Sequence, residues 1–200
     1  MDLDQHDELV VVQRRELVEL LGFETRNKYE VCDAQGSVIG FAAEQGRGLL
    51  AVLMRMFLGH FRTFDIHIFD AQRQAQYRAH HPFRFLFQRL ELFDAGGTYL
   101  GALQQRFAIF SKHFDLLDAS GGLSMEMRSG FFRIWTFPFF RAGAEVARIE
   151  KKWGGMLREV FTDADRFRTT FTPAVRGQER ALILAAAIFV DLQYFERKAD

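Results

Sequence analysis

Few residue sets in this chain have the types and spacing that chemistry requires. Gly46-Arg47-Gly48-Leu49-Leu50-Ala51 matches G-x-G-x-x-A, with Asp65 near the distance at which an acidic residue would meet a ribose. That reading needs a strand–helix–strand unit in a parallel sheet, whereas the neighbouring segments read as hairpins. The histidines are scattered apart from His80-His81, with no H-E-x-x-H pattern, so they read as surface or turn residues rather than zinc ligands. No serine sits in a G-x-S-x-G elbow. No nucleophile–base set is visible, and no carboxylate pair stands apart from turns and strand edges. The chain is therefore not read as an enzyme. The single cysteine, Cys32, excludes an internal disulfide and a cysteine-based zinc site, and it is compatible with a reducing cytoplasm.

The stretch best suited to binding is apolar. Residues 49–61 (LLAVLMRMFLGHF) read as a short helical insertion, with Arg47, Arg55 and Arg62 spaced along it. One reading is a membrane-dipping helix, with Met54, Met56, Phe57 and Leu58 in the headgroup boundary and the arginines on phosphates. The other is a lid over one end of the fold, or a surface for a protein partner or a second copy. Farther on, Phe83, Phe85 and Phe87 alternate with Arg84, Leu86 and Gln88, which as a strand would point three rings into a core. Phe131-Phe132 and Phe137-Pro138-Phe139-Phe140 put adjacent rings on opposite faces, so some of them should lie outside.

These residues must be positioned by elements that the pattern also reveals. The 200 residues suit one domain over 1–200, and at 48% hydrophobic and 26% charged they make an ordinary globule. The net charge is zero, which removes any strong whole-chain pull toward nucleic acid or anionic lipid. The N-terminus has no positive segment leading into an apolar run, so no signal peptide is expected and a cytoplasmic protein is. Residues 179–196 (ERALILAAAIFVDLQYFE) read as a helix, apolar on every face from Ala181 to Val190. Such a helix must be buried. Its apolar run reaches about 15 Å, half the hydrocarbon thickness of a membrane, before Asp191 ends it. A core helix is preferred over a membrane span, with Leu182, Leu184, Ile188, Phe189 and Leu192 as its core contacts.

A turn signal recurs around that helix. Asp-Ala appears at Asp33, Asp70, Asp94, Asp118 and Asp163, and Arg141-Ala142-Gly143 stands where one more copy would fall. Alternating runs flank the copies, as in Leu123-Ser124-Met125-Glu126-Met127-Arg128. Six turns with two strands each give about twelve antiparallel strands, apolar on one face. A barrel of that size has a lumen that needs a plug, and the C-terminal helix is the plug. The expected fold is mainly β: a closed antiparallel barrel around a buried C-terminal helix.

Long stretches of the chain resemble a known family. Residues 17–44 (LVELLGFETRNKYEVCDAQGSVIGFAAE), 151–171 (KKWGGMLREVFTDADRFRTTF) and 188–196 (IFVDLQYFE) closely resemble the phospholipid scramblases. That family is similar to the tubby C-terminal domain, a twelve-stranded barrel around a hydrophobic helix. The resemblance implies a protein associated with the phospholipid membrane surface, at the inner face, that moves lipids between leaflets in response to calcium. A soluble interaction module that keeps the fold without lipid transport is the alternative. The chain looks like a short, prokaryotic-type member: the barrel begins within about ten residues rather than after a Pro-rich arm, and the region around residues 80–89 (HHPFRFLFQR) has no cysteine to acylate.

The family's calcium segment falls on residues 163–174. The resemblance implies Asp163 and Asp165 as first ligands and Thr169 as a carbonyl or hydroxyl donor. The closing acidic ligand is replaced by Ala174, so calcium is expected to bind weakly here if the segment is more than a turn.

Overall fold

Aspartates at the turns set the architecture. The structure, a computed structural model, describes residues 1–14, 25–45, 63–109, 111–130, 135–152 and 166–195. At Asp33 the carbonyl accepts from Gly36 N–H at 3.1 Å while the carboxylate takes the N–H groups of Gln35 and Ser37 at 2.9 and 2.8 Å. Gly36 sits at φ 84°, the left-handed residue that completes a three-residue hairpin loop. Asp70, Asp94 and Asp118 repeat this clamp. In the Asp70 copy the left-handed position is held by Arg73, at φ 62°. The Arg141 copy differs: Ala142 and Gly143 both have positive φ, which makes a two-residue turn without a carboxylate clamp.

The strands between these turns are β1 (Glu8–Arg14), β2 (Thr25–Asp33), β3 (Val38–Gln45), β4 (Phe64–Asp70), β5 (Ala75–His81) and β6 (Arg89–Asp94). They continue with β7 (Tyr99–Arg106), β8 (Ser111–Asp118), β9 (Leu123–Gly130), β10 (Thr136–Arg141), β11 (Ala144–Lys152) and β12 (Arg166–Phe171). Each pairs antiparallel with its sequence neighbour, and β1 pairs with β12 to close the barrel. The strand total agrees with the turn repeat, but the bookkeeping differs. Five hairpins supply ten strands, and the remaining two are β12 and the N-terminal β1. The sixth Asp-Ala copy, Asp163-Ala164, lies outside the described residues. The sequential antiparallel pairing of β3 with β4 leaves no parallel βαβ unit around residues 46–51, so the dinucleotide reading has no frame.

Alternation decides what faces inward. Met125 and Met127 of β9 are buried, while Arg128 between turns of the pleat stays exposed. The lumen is filled by the helix α1 (Gln178–Tyr194), one residue earlier at its start than the pattern suggests. From Ala181 to Val190 no residue is more than 2% exposed, and Leu192 is buried as well. Ala185, Ala186 and Ala187 are fully buried, and Phe189 packs against the rings of Phe64, His81 and Phe114. Among the described residues no helix is long and apolar enough to cross a membrane.

Candidate functional site

The hairpin topology gives the barrel two unlike ends. All five tight turns lie at one end, with the N-terminal 3₁₀ turn (Leu3–Gln5) and the start of α1. The other end carries the longer connections, the strand ends Gln45 and Phe64, and the last turn of α1. Of the eight exposed large apolar side chains among the described residues, six lie at this second end: Phe83, Phe85, Leu86 and Phe87 between β5 and β6, and Phe107 and Ile109 between β7 and β8. Val38 and Leu123 are the two at the turn end.

Placement of Phe83, Phe85 and Phe87 corrects the sequence reading, which put them in the core. They are in a loop, and Phe85 is 71% exposed. Two local causes end the strand before it reaches them. Pro82 lacks the N–H that the ladder would need next. His81 already takes the inward position: it is buried, stacks on Phe64 at 4.6 Å and on Phe189 at 5.4 Å, and its Nε2 meets Gln88 Oε1 at 2.7 Å. That last bond ties the two ends of the loop together and turns the aromatics outward. Phe87 adopts φ 46°, a left-handed turn within the loop. Arg84 stands exposed among these rings, and Arg106 beside Phe107. The Phe137–Phe140 stretch behaves as alternation with a bulge would have it: Phe137 and Phe139 are buried, and the register shift after Phe139 leaves Phe140 half-buried. Phe131 and Phe132 lie outside the described residues.

Below this rim the end of α1 is closed by ammonium groups over rings. Lys112 Nζ lies 3.6 Å from the Tyr194 ring centre, and Lys151 Nζ lies 4.1 Å from that of Phe195, which in turn stacks on Trp135 at 4.8 Å. The helix has no basic residue in its last turn, so β8 and β11 supply the positive charge that its carbonyl end favours. Burial pushes the Tyr194 phenol up to about 12, so it stays protonated at neutral pH. Asp191, which ends the apolar run in sequence, is inside the barrel, where the Tyr29 hydroxyl donates to it at 2.9 Å.

The opposite end of α1 is held by Arg180, which sequence reasoning passed over. Its side chain is 2% exposed and donates to the carbonyls of Val175 at 2.7 Å, Leu3 at 2.9 Å and His6. The guanidinium also lies over the Phe171 ring. Gly177 N–H at the helix start donates to Asp4 Oδ1 at 2.7 Å. The signal was present as a charged residue flanking an all-apolar run, a place where a charge needs partners from elsewhere in the chain.

The remaining expected site residues fall as follows. Arg47, Met54, Arg55, Met56, Phe57, Leu58 and Arg62 lie outside the described residues, as do Asp163 and Asp165. Thr169 lies in β12 opposite Leu9 and Ile149, fully buried, with its hydroxyl bonded to nothing among the described residues. Ala174 is exposed at the turn end, where its carbonyl accepts from Arg141. A strand advances about 3.3 Å per residue, so β12 carries the chain from one end of the barrel to the other between residues 166 and 171. The described part of the segment does not gather oxygen ligands at one point, as a calcium loop must.

Comparison with known proteins fits this geometry. A solved X-ray structure of an Arabidopsis thaliana protein matches 92% of this chain and 90% of its own at a TM-score of 0.53 and 11% identity, a likeness of fold alone. Human phospholipid scramblase 1 is 31% identical over 97% of this chain and 64% of its own length. A phospholipid scramblase family protein of Schizosaccharomyces pombe is 24% identical over 96% of this chain and 60% of its own. The chain thus spans somewhat less than two thirds of these relatives. The Scramblase family model matches residues 2–197. The molecule is a tubby-like barrel with a central helix. It belongs to the phospholipid scramblase family.

Proposed function

We propose that this chain handles phospholipids by docking on a membrane surface through the long-loop end of its barrel. The observation that carries the reading is the segregation of exposed Phe83, Phe85, Leu86, Phe107 and Ile109 to that one rim. Inserting a Phe or Leu side chain into the boundary between headgroups and acyl chains removes apolar area from water, worth roughly 25 cal/mol per Å². Arg84 and Arg106 beside the rings suit the phosphate layer. The segment 46–62 joins β3 to β4, whose ends lie at the same rim, so its apolar and arginine side chains belong to this proposal.

Lipid contact fits the barrel better than passage through it. A headgroup needs a polar path across hydrocarbon, and the lumen holds α1 and apolar side chains. In this reading any transbilayer movement, the activity that the phospholipid scramblase relatives carry in their names, runs outside the lumen. The free, buried Cys32 suits a reducing compartment and hence the inner face of the membrane. Calcium is not required for docking in this reading.

Co-sedimentation with neutral and anionic vesicles, with and without calcium, tests the docking, and a lipid-flip assay on reconstituted protein tests the transport. Binding to vesicles in the absence of calcium, reduced by Phe85→Ser with Leu86→Ser and by Arg55→Glu with Phe57→Ser, is the expected result. Absence of binding to any vesicle would leave the interaction-module reading in its place.

A further inference from the structure

On the outer wall of the barrel, three side chains of metal-ligating type converge. His113 and Asp115 stand two residues apart on β8 and therefore share a face. Glu126 of β9 is the direct cross-strand partner of Asp115. Two carboxylates placed opposite one another weaken a ladder unless a cation lies between them. Here the group between them is an imidazole. His113 Nε2 lies 3.5 Å from Asp115 Oδ1 and 4.0 Å from Glu126 Oε1, and all three ligand atoms fall within 4.8 Å of one another. Ligand atoms held about 2.1 Å from a common ion in a tetrahedral site sit roughly 3.4 Å apart, so little movement would close the set.

Two further observations point the same way. The His113 side chain is partly exposed, but its Nε2 atom is buried and has no hydrogen-bond partner among the described residues. Each carboxylate is oriented from its far side: Arg106 Nε lies 3.3 Å from Asp115 Oδ2, and Arg128 Nη2 lies 2.5 Å from Glu126 Oε2. The arginines thus take the outer oxygens and leave the inner ones turned toward the imidazole. Partners that hold a ligand's second oxygen are what fix a coordinating carboxylate in place. Both arginines are exposed and can turn to solvent, so their ion pairs contribute little against a bound cation.

We propose that His113, Asp115 and Glu126 bind a divalent transition-metal ion of the zinc class, with water completing its coordination. One imidazole nitrogen with two carboxylate oxygens suits Zn²⁺ or its neighbours, whereas calcium and magnesium take oxygen ligands only. The ion ties β8 to β9 immediately below the loop that carries Phe107 and Ile109, and so stiffens one side of the apolar rim. The site is independent of residues 163–174 and shares only Arg106 with the membrane reading.

Calorimetric titration of the full chain with Zn²⁺ tests it, with circular dichroism to verify folding. One Zn²⁺ per chain is expected, with a dissociation constant of about 10 µM or tighter. Excess Ca²⁺ or Mg²⁺ should not displace it. His113→Ala and Glu126→Gln should each weaken binding at least about tenfold, whereas His80→Ala, on another part of the wall, should not. Should either ligand variant prove unfolded, Asp115→Asn takes its place. Wild-type affinity retained in the folded ligand variants, or no saturable binding below about 100 µM, would overturn the proposal.

Discussion

At one end of the barrel the connections are tight: carboxylates clamp four of the five hairpin turns, and Arg180 satisfies three backbone carbonyls beside the helix start. At the other end the strands stop early, a proline and a buried histidine divert the chain, and aromatic side chains are left facing out. Both ends are made by the same strands, so the difference lies in the connections alone. Polar groups at the turn end are consumed by the protein's own backbone. Large apolar side chains at the loop end, Phe83, Phe85, Leu86, Phe107 and Ile109 among them, stand exposed to solvent. In the proposed function, stability and binding are assigned to opposite ends of one barrel.

That division can be broken in graded ways. Arg180→Met should have the largest effect, about 3 kcal/mol of lost stability by chemical denaturation, because it strands the carbonyls of Leu3, His6 and Val175 in a buried setting. It should leave the vesicle affinity of the folded fraction unchanged. Next, Phe85→Ser with Leu86→Ser should lower vesicle partitioning roughly tenfold in co-sedimentation with little change in stability. Val38→Ser with Leu123→Ser, at the turn end, should leave partitioning alone; equal loss from both pairs would abolish the distinction between the ends.

Acid should act on the turn end. The backbone N–H of Thr98 holds the Asp94 carboxyl below its usual range, and the Ser120 hydroxyl does the same for Asp118. A depressed carboxyl stabilises the fold fully above its unfolded value, about 3.9, and this contribution is lost as pH falls through the lower folded value. The denaturation midpoint should therefore drop below about pH 4. The smallest change expected is a gain: Arg73→Gly should stabilise by about 0.5 kcal/mol in thermal melts, since an L-residue is strained at φ 62°.

Much of the barrel was legible in sequence because its causes are local. Asp-Ala at a turn and alternation between turns act over a few residues; they marked five hairpins and the inward faces, while the closing pair β1 and β12 comes from outside the turn repeat. The all-apolar run of α1 left no alternative to burial or a membrane, and its short length weighed toward burial. The rim was legible only in part. Phe83-Arg84-Phe85-Leu86-Phe87 has the alternation of a strand, but alternation cannot reveal that His81 and Pro82 terminate the ladder first. His113, Asp115 and Glu126 were also hidden, since they look like ordinary outward residues until β8 and β9 are set in register.

The sequence by itself determined the repeat of turns, the faces of the strands and the need to hide residues 181–190, because each depends on neighbours along the chain. Tertiary structure alone decided which end closes and which remains apolar, where Arg180 and Asp191 find partners, and which carboxylates meet an imidazole. Those outcomes depend on residues far apart in sequence, whose separation only the closed sheet removes.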